Sequence, residues 1–183
     1  MRAVHPALLL LATYVAVYLE CRVTFLRDLI GVQIDFLPAI VVYASLTSNL
    51  ATVALLAFAG GVWFDSLSLN PTGVTVFPLL ITGMVLLWFR DLILRDQPYA
   101  RHILGFAASV AVPSLSLLLM LSLGAEPLLG VGTVWTLLVL GVAGAFITPL
   151  VFAVFDRVRL LFEFQPLEVP SFREDREIKR GRN

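Results

Sequence analysis

Ionisable side chains are missing from most of this 183-residue sequence. The 29 residues from Phe36 to Phe64 hold no Asp, Glu, Lys or Arg, and Ser66–Phe89, Ile103–Ala125 and Pro127–Phe155 hold none either. A hydrocarbon layer about 30 Å thick is crossed by roughly 20 apolar helical residues, and a charge at a helix centre costs about 2.5–3.5 kcal/mol on insertion scales. Runs of this length exclude an ordinary soluble domain, as does a composition of 59% hydrophobic and 14% charged residues against the usual charged share of about 25%. Cysteine is nearly absent: Cys21 stands alone, so no intrachain disulfide can form. With two histidines, His5 and His102, and no cysteine pair, the sequence offers no metal-ligand set.

What remains reads as an all-α polytopic membrane protein, a compact bundle over residues 1–155 followed by a charged tail over 156–183. A retained first span is expected over Pro6–Leu19, since Leu19-Glu20-Cys21-Arg22 makes a poor cleavage site. The mixed segment Arg22–Asp35 suits an amphipathic helix lying on the membrane. The long run then divides at Thr47-Ser48-Asn49, its one polar cluster, into spans Asp35–Leu46 and Leu50–Phe64. A loop with Asn70-Pro71 and Gly73 leads to a span over Val74–Phe89. Arg90–Arg101 is expected as a charged loop, with further spans over His102–Leu123 and Thr133–Phe155. If the long run crosses once instead of twice, six short spans become five.

Basic residues orient the bundle. Six spans place eleven of the thirteen Lys and Arg residues on one side, and five spans place twelve there. Both arrangements put Arg90–Arg101 and the tail in the cytoplasm by the positive-inside rule. That tail reads as a solvated, frayed segment, or as one that contacts anionic membrane lipids or a cytoplasmic partner; nothing in the sequence points to nucleic acid.

Ala12 and Ala16, Ala57 and Gly61, and Gly141 and Ala145 are spaced to let helix backbones approach in lipid. Two readings are open for each pair: packing within the bundle, or a face for another protein. The intramembrane hydroxyls Thr13, Thr82, Ser109, Ser114, Ser116 and Thr148 are expected to bond to the preceding turn of their own helices. Pro78, Pro113 and Pro149 are expected to kink theirs. The acids Asp35, Asp65, Glu126 and Asp156 fall at span ends. No nucleophile–base or nucleophile–His–acid set can be assembled, so a non-enzyme without cofactor is expected.

One pattern resembles a known family. The segment Ala59-Gly60-Gly61-Val62-Trp63-Phe64-Asp65-Ser66, followed by Asn70-Pro71-Thr72-Gly73, is similar to the signature of the rod shape-determining protein MreD family. Thr148-Pro149 and Phe155-Asp156-Arg157 resemble its closing segment. Asp35-Phe36-Leu37-Pro38 resembles the start of its second span, except that here proline follows the aspartate. The resemblance covers nearly the whole chain through the order and spacing of these motifs. It implies a non-catalytic inner-membrane subunit of the elongation machinery. Its partner would be MreC, with MreB, RodA and a class B penicillin-binding protein in the same complex, serving lateral peptidoglycan synthesis and rod shape. It also implies a fold similar to the substrate-binding subunits of energy-coupling-factor vitamin transporters. Gly60, Gly61, Asp65, Pro71 and Gly73 would then form a partner-contact edge, or serve only to build the turn.

Such a transporter subunit is itself the rival reading. Ala12 and Ala16 resemble its docking motif, and Tyr14, Tyr18, Trp63 and Trp135 would line its vitamin pocket. An accessory subunit of a different membrane complex has the same chemistry with another partner.

Overall fold

A computed structural model describes residues 4–22, 31–68, 71–90, 98–124 and 130–162. The described residues form six helices: α1 Val4–Arg22, α2 Leu37–Thr47, α3 Leu50–Leu67, α4 Val76–Phe89, α5 Pro98–Ser122 and α6 Val131–Phe162. α3, α5 and α6 are long and apolar enough to cross a membrane, whereas α1, α2 and α4 contribute shorter apolar stretches.

The division of the long uncharged run is resolved by its polar cluster. Ser48 leaves the helical conformation and ends α2, and the Asn49 side chain accepts the Thr52 amide to cap α3. An asparagine in extended backbone does this because its carboxamide satisfies one of the amides that a helix start leaves unpaired.

α2 lies at the centre. Leu37 through Leu46 are all buried, and α2 touches each of the other five helices. These neighbours follow one another around it as α1, α3, α4, α5 and α6; among the described residues α1 and α6 do not meet, so the ring is open there. On α2, Tyr43 is fully buried, stacked on Phe155 at 4.8 Å and edge-on to Phe152 at 4.9 Å. Rings in these geometries add about 0.5–1.5 kcal/mol per pair beyond area burial.

Glycines set the helix spacing. On α4, a Cβ at Gly83 would come within 2.6 Å of Val53 and 3.1 Å of Val41. Between α5 and α6, a Cβ at Gly141 would strike Phe106 and Val110, one at Gly144 would strike Ser109, and one at Gly105 would strike Thr148 and the Gly144 carbonyl. Of the expected pair Gly141 and Ala145, Gly141 is buried and Ala145 half-buried, and Gly144 is buried beside them. Ala57 is fully buried, and Ala12 and Ala16 are half-buried on α1.

Several boundaries differ from expectation. α5 begins at Pro98, inside the expected charged loop, because proline suits a first helical turn, where its missing amide is no loss. α6 continues past Phe155 to Phe162. Arg101 holds this overrun from the start of α5, 4.6 Å over the Phe152 ring and 3.8 Å from the Asp156 carboxylate. Pro78 is the third residue of α4 and so interrupts no established turn; only Pro113 and Pro149 lie inside helices. Thr13, Ser114 and Ser116 bond to the preceding turn, but Thr82, Ser109 and Thr148 have no hydrogen-bond partner among the described residues. Ser109 and Thr148 serve instead as small surfaces against Gly144 and Gly105. Most of the expected amphipathic segment, the Asp91, Arg95 and Asp96 charges, Glu126, and the tail beyond Phe162 lie outside the described residues.

Candidate functional site

The residues carrying the motif converge at one end of the bundle, where α1, α3 and α5 finish and α2, α4 and α6 begin. The last turns of α3 bring Gly60 and Gly61 against three neighbours. A Cβ at Gly60 would stand 2.8 Å from Leu37 on α2 and from Thr13 on α1; one at Gly61 would stand 2.7 Å from the Val76 side chain and 2.8 Å from its Cα. Only a residue without a side chain lets the α4 backbone come this close.

One turn later Asp65, 1% exposed, reaches across the connection. Its Oδ2 accepts the Gly73 amide at 2.7 Å and the Thr75 amide at 3.2 Å. These amides lie just before α4, where unpaired N–H groups and the helix dipole favour a negative charge. Gly73 adopts φ +101°, a left-handed conformation that glycine takes without strain. A further bond from Val74 N–H to the Pro71 carbonyl at 3.3 Å tightens the turn. The result is a bracket: a carboxylate at the end of α3 fixes the loop and the start of α4.

Of the two roles expected for these residues, turn building is seen in the packing: Gly60, Gly61 and Asp65 are buried by residues of this chain. Gly73 is half-buried, and Pro71, with its neighbour Thr72, is exposed at the loop apex. Asn70 lies outside the described residues.

A second acid at this end was missed by sequence reasoning. Glu20, 5% exposed near the end of α1, accepts the Phe36 backbone amide through Oε1, while Oε2 has no partner among the described residues. Phe36 is the residue that caps α2 and it offers no side-chain bond of its own. Glu20 therefore caps α2 from another helix. Only the lone glutamate between apolar runs hinted at this, and its partner sixteen residues away has no local spacing to betray it.

Asp35 itself turns elsewhere. It lines a cavity of about 480 Å³ between the ends of α5 and α6, together with Thr75, Thr133 and apolar residues including Val112, Leu137 and Leu140. Desolvation pushes its carboxyl up to about 7. Thr75 joins the two features, since its amide is held by Asp65 and its side chain lines the cavity.

The aromatic residues expected around a vitamin lie outside this cavity. Tyr14 and Trp63 meet edge-on at 4.9 Å on the α1–α3 surface, Tyr18 is exposed beneath the Arg22 guanidinium, and Trp135 is exposed on α6. Among the described residues no three His, Cys, Asp or Glu side chains gather as a metal site. No protein-family model, curated protein or solved structure matches the chain.

Proposed function

We propose that this chain is a non-catalytic subunit of a bacterial inner membrane, of the MreD kind, which binds MreC and supports lateral peptidoglycan synthesis. The bracket at the end of α3 is the observation that carries this reading. The residues responsible for the resemblance, Gly60, Gly61, Asp65, Pro71 and Gly73, are spent on the turn that enters α4, beside which Pro71 and Thr72 are exposed. Backbone amides held in place by a buried carboxylate suit recognition, because less ordering entropy remains to be lost on binding. The loop lies at the opposite end of the bundle from Arg90, and the positive-inside rule makes its side extracytoplasmic. In this reading all six helices cross or nearly cross the bilayer, the C-terminus is cytoplasmic, and the architecture is that of the energy-coupling-factor substrate-binding subunits put to a structural use. RodA, a class B penicillin-binding protein and MreB follow through MreC.

The test is photo-crosslinking in native membranes, with the reactive group placed at Thr72 and, as a control at the opposite end, at exposed Leu50. An MreC-like protein captured from Thr72 and not from Leu50 is the expected result. Capture of an ATPase pair with its coupling subunit would overturn the reading and make the chain a vitamin-binding subunit.

A further inference from the structure

We propose that the cavity between α5 and α6 is a binding site for one membrane lipid bearing a primary ammonium headgroup, with the ammonium at Asp35 and an acyl chain between the two helices. The argument begins with how polarity is arranged along the cavity. Its mouth lies where α5 ends and α6 begins, and its polar lining is Asp35, Thr75, Ser116, Thr133 and Thr136. Its floor, farthest from those helix ends, is apolar, made by Val112 on α5 with Leu137 and Leu140 on α6. Met120 to Val112 on α5 and Gly132 to Leu140 on α6 are both eight residues, about 12 Å of helix at 1.5 Å per residue. The cavity therefore runs from the polar boundary into the apolar layer along the helix axes, polar outside and apolar within. That is the polarity of a lipid standing in a leaflet. A volume of about 480 Å³ falls within the small-molecule range of about 300–1,000 Å³.

Charge selects the headgroup. Asp35 lines the cavity, and Glu20 holds the amide of the next residue, Phe36. Among the described residues no cation forms an ion pair with either acid, and Arg22, the closest basic residue in sequence to Glu20, lies 5.6 Å over the Tyr18 ring. An acidic mouth disfavours an anionic lipid and favours a cationic group. A primary ammonium adds three N–H donors that a quaternary choline lacks. Occupation by such a group would also neutralise a carboxylate that its surroundings desolvate.

The experiment uses the full-length protein in nanodiscs of mixed phosphatidylethanolamine, phosphatidylcholine and phosphatidylglycerol. Retained lipid is read by native mass spectrometry after release. The wild type is expected to keep one phosphatidylethanolamine per chain in preference to the other two. A hydrogen bond to a charged group is worth about 1.5–3 kcal/mol, so Asp35→Asn should reduce that preference about tenfold or more, while Asp35→Glu retains it. Leu137→Trp, which fills the floor, should abolish retention of any lipid. Should one variant fail to fold, the others and the wild-type headgroup preference still decide. Equal retention of the three lipids by wild type would overturn the proposal, as would undiminished phosphatidylethanolamine in folded Asp35→Asn or Leu137→Trp protein. The MreC reading is untouched by either result.

Discussion

At the scale of single residues, three acids at one end of the bundle perform three different tasks. Asp65 is a capping anion whose bonds to the Gly73 and Thr75 amides are charge-assisted. Such bonds contribute about 1.5–3 kcal/mol each, and losing both leaves two amides unpaired. Asp65→Ala should therefore lower stability by about 2–4 kcal/mol, seen as a reduced thermal midpoint in detergent and faster amide exchange at Gly73 and Thr75. Glu20 caps α2 across space through its carboxylate. Glu20→Gln keeps an acceptor and should be tolerated better than Glu20→Ala, which orphans the Phe36 amide; equal losses would show that the cap contributes nothing. Asp35 behaves in the opposite way to a cap. Desolvation raises its carboxyl from 3.8 to about 7, so the folded protein holds this proton longer than the unfolded chain does. Its stabilising effect is fully present below about pH 4 and is lost as pH rises through about 7. In detergent without aminolipid, Asp35→Asn should exceed wild type in stability most clearly at pH 8, with the gap closing as pH falls toward 4. Asparagine also removes the repulsion between Asp35 and Glu20, which acts in the same direction. A gap that does not change with pH would contradict this.

At the scale of elements, the helices are joined at points where side chains have been removed. α5 and α6 meet through Gly105, Gly141 and Gly144. An added methyl in a filled contact costs about 1–3 kcal/mol when neighbours must shift. Gly144→Ala or Gly105→Ala should show this loss, because each Cβ would strike both a side chain and a backbone carbonyl on the facing helix. Gly132→Ala should not, since among the described residues nothing stands within 4 Å of its Cβ position. Thermal unfolding of the three variants makes the comparison directly. The elements were largely legible in the sequence where punctuation is local: the Thr47-Ser48-Asn49 break and the Pro71–Gly73 turn mark observed boundaries, and the uncharged runs mark the start of α2 and the end of α4. Legibility failed where the cause is distant. Arg101 contacts Asp156 and Phe152 on α6, and Glu20 caps α2 from α1; neither follows from nearby residues. The candidate site shows the same division. Its turn chemistry could be read along the chain, whereas the burial of Gly60, Gly61 and Asp65 and the cavity beside them arise only from packing.

At the scale of the molecule, five helices of the described residues stand around a sixth, and among these residues an opening lies between α1 and α6. If the bundle crosses the membrane as proposed, its two ends face opposite compartments. With Cys21 replaced, Thr72→Cys should react with an impermeant maleimide on intact cells, and Leu50→Cys only after permeabilisation. Labelling of both from one side would exclude the crossing of α3. The central position of α2 has a consequence for how such a chain is made. In the finished protein ten of its eleven residues are buried among other helices. In the proposed membrane arrangement, however, α2 leaves the ribosome before four of its five companions exist, and its first surroundings are fatty chains. A segment this short is poorly held there, and Glu20 on α1 is a polar hand already waiting. The early membrane intermediate should thus be an α1–α2 pair, and damage at Glu20 would send chains to quality control before their last helix is translated.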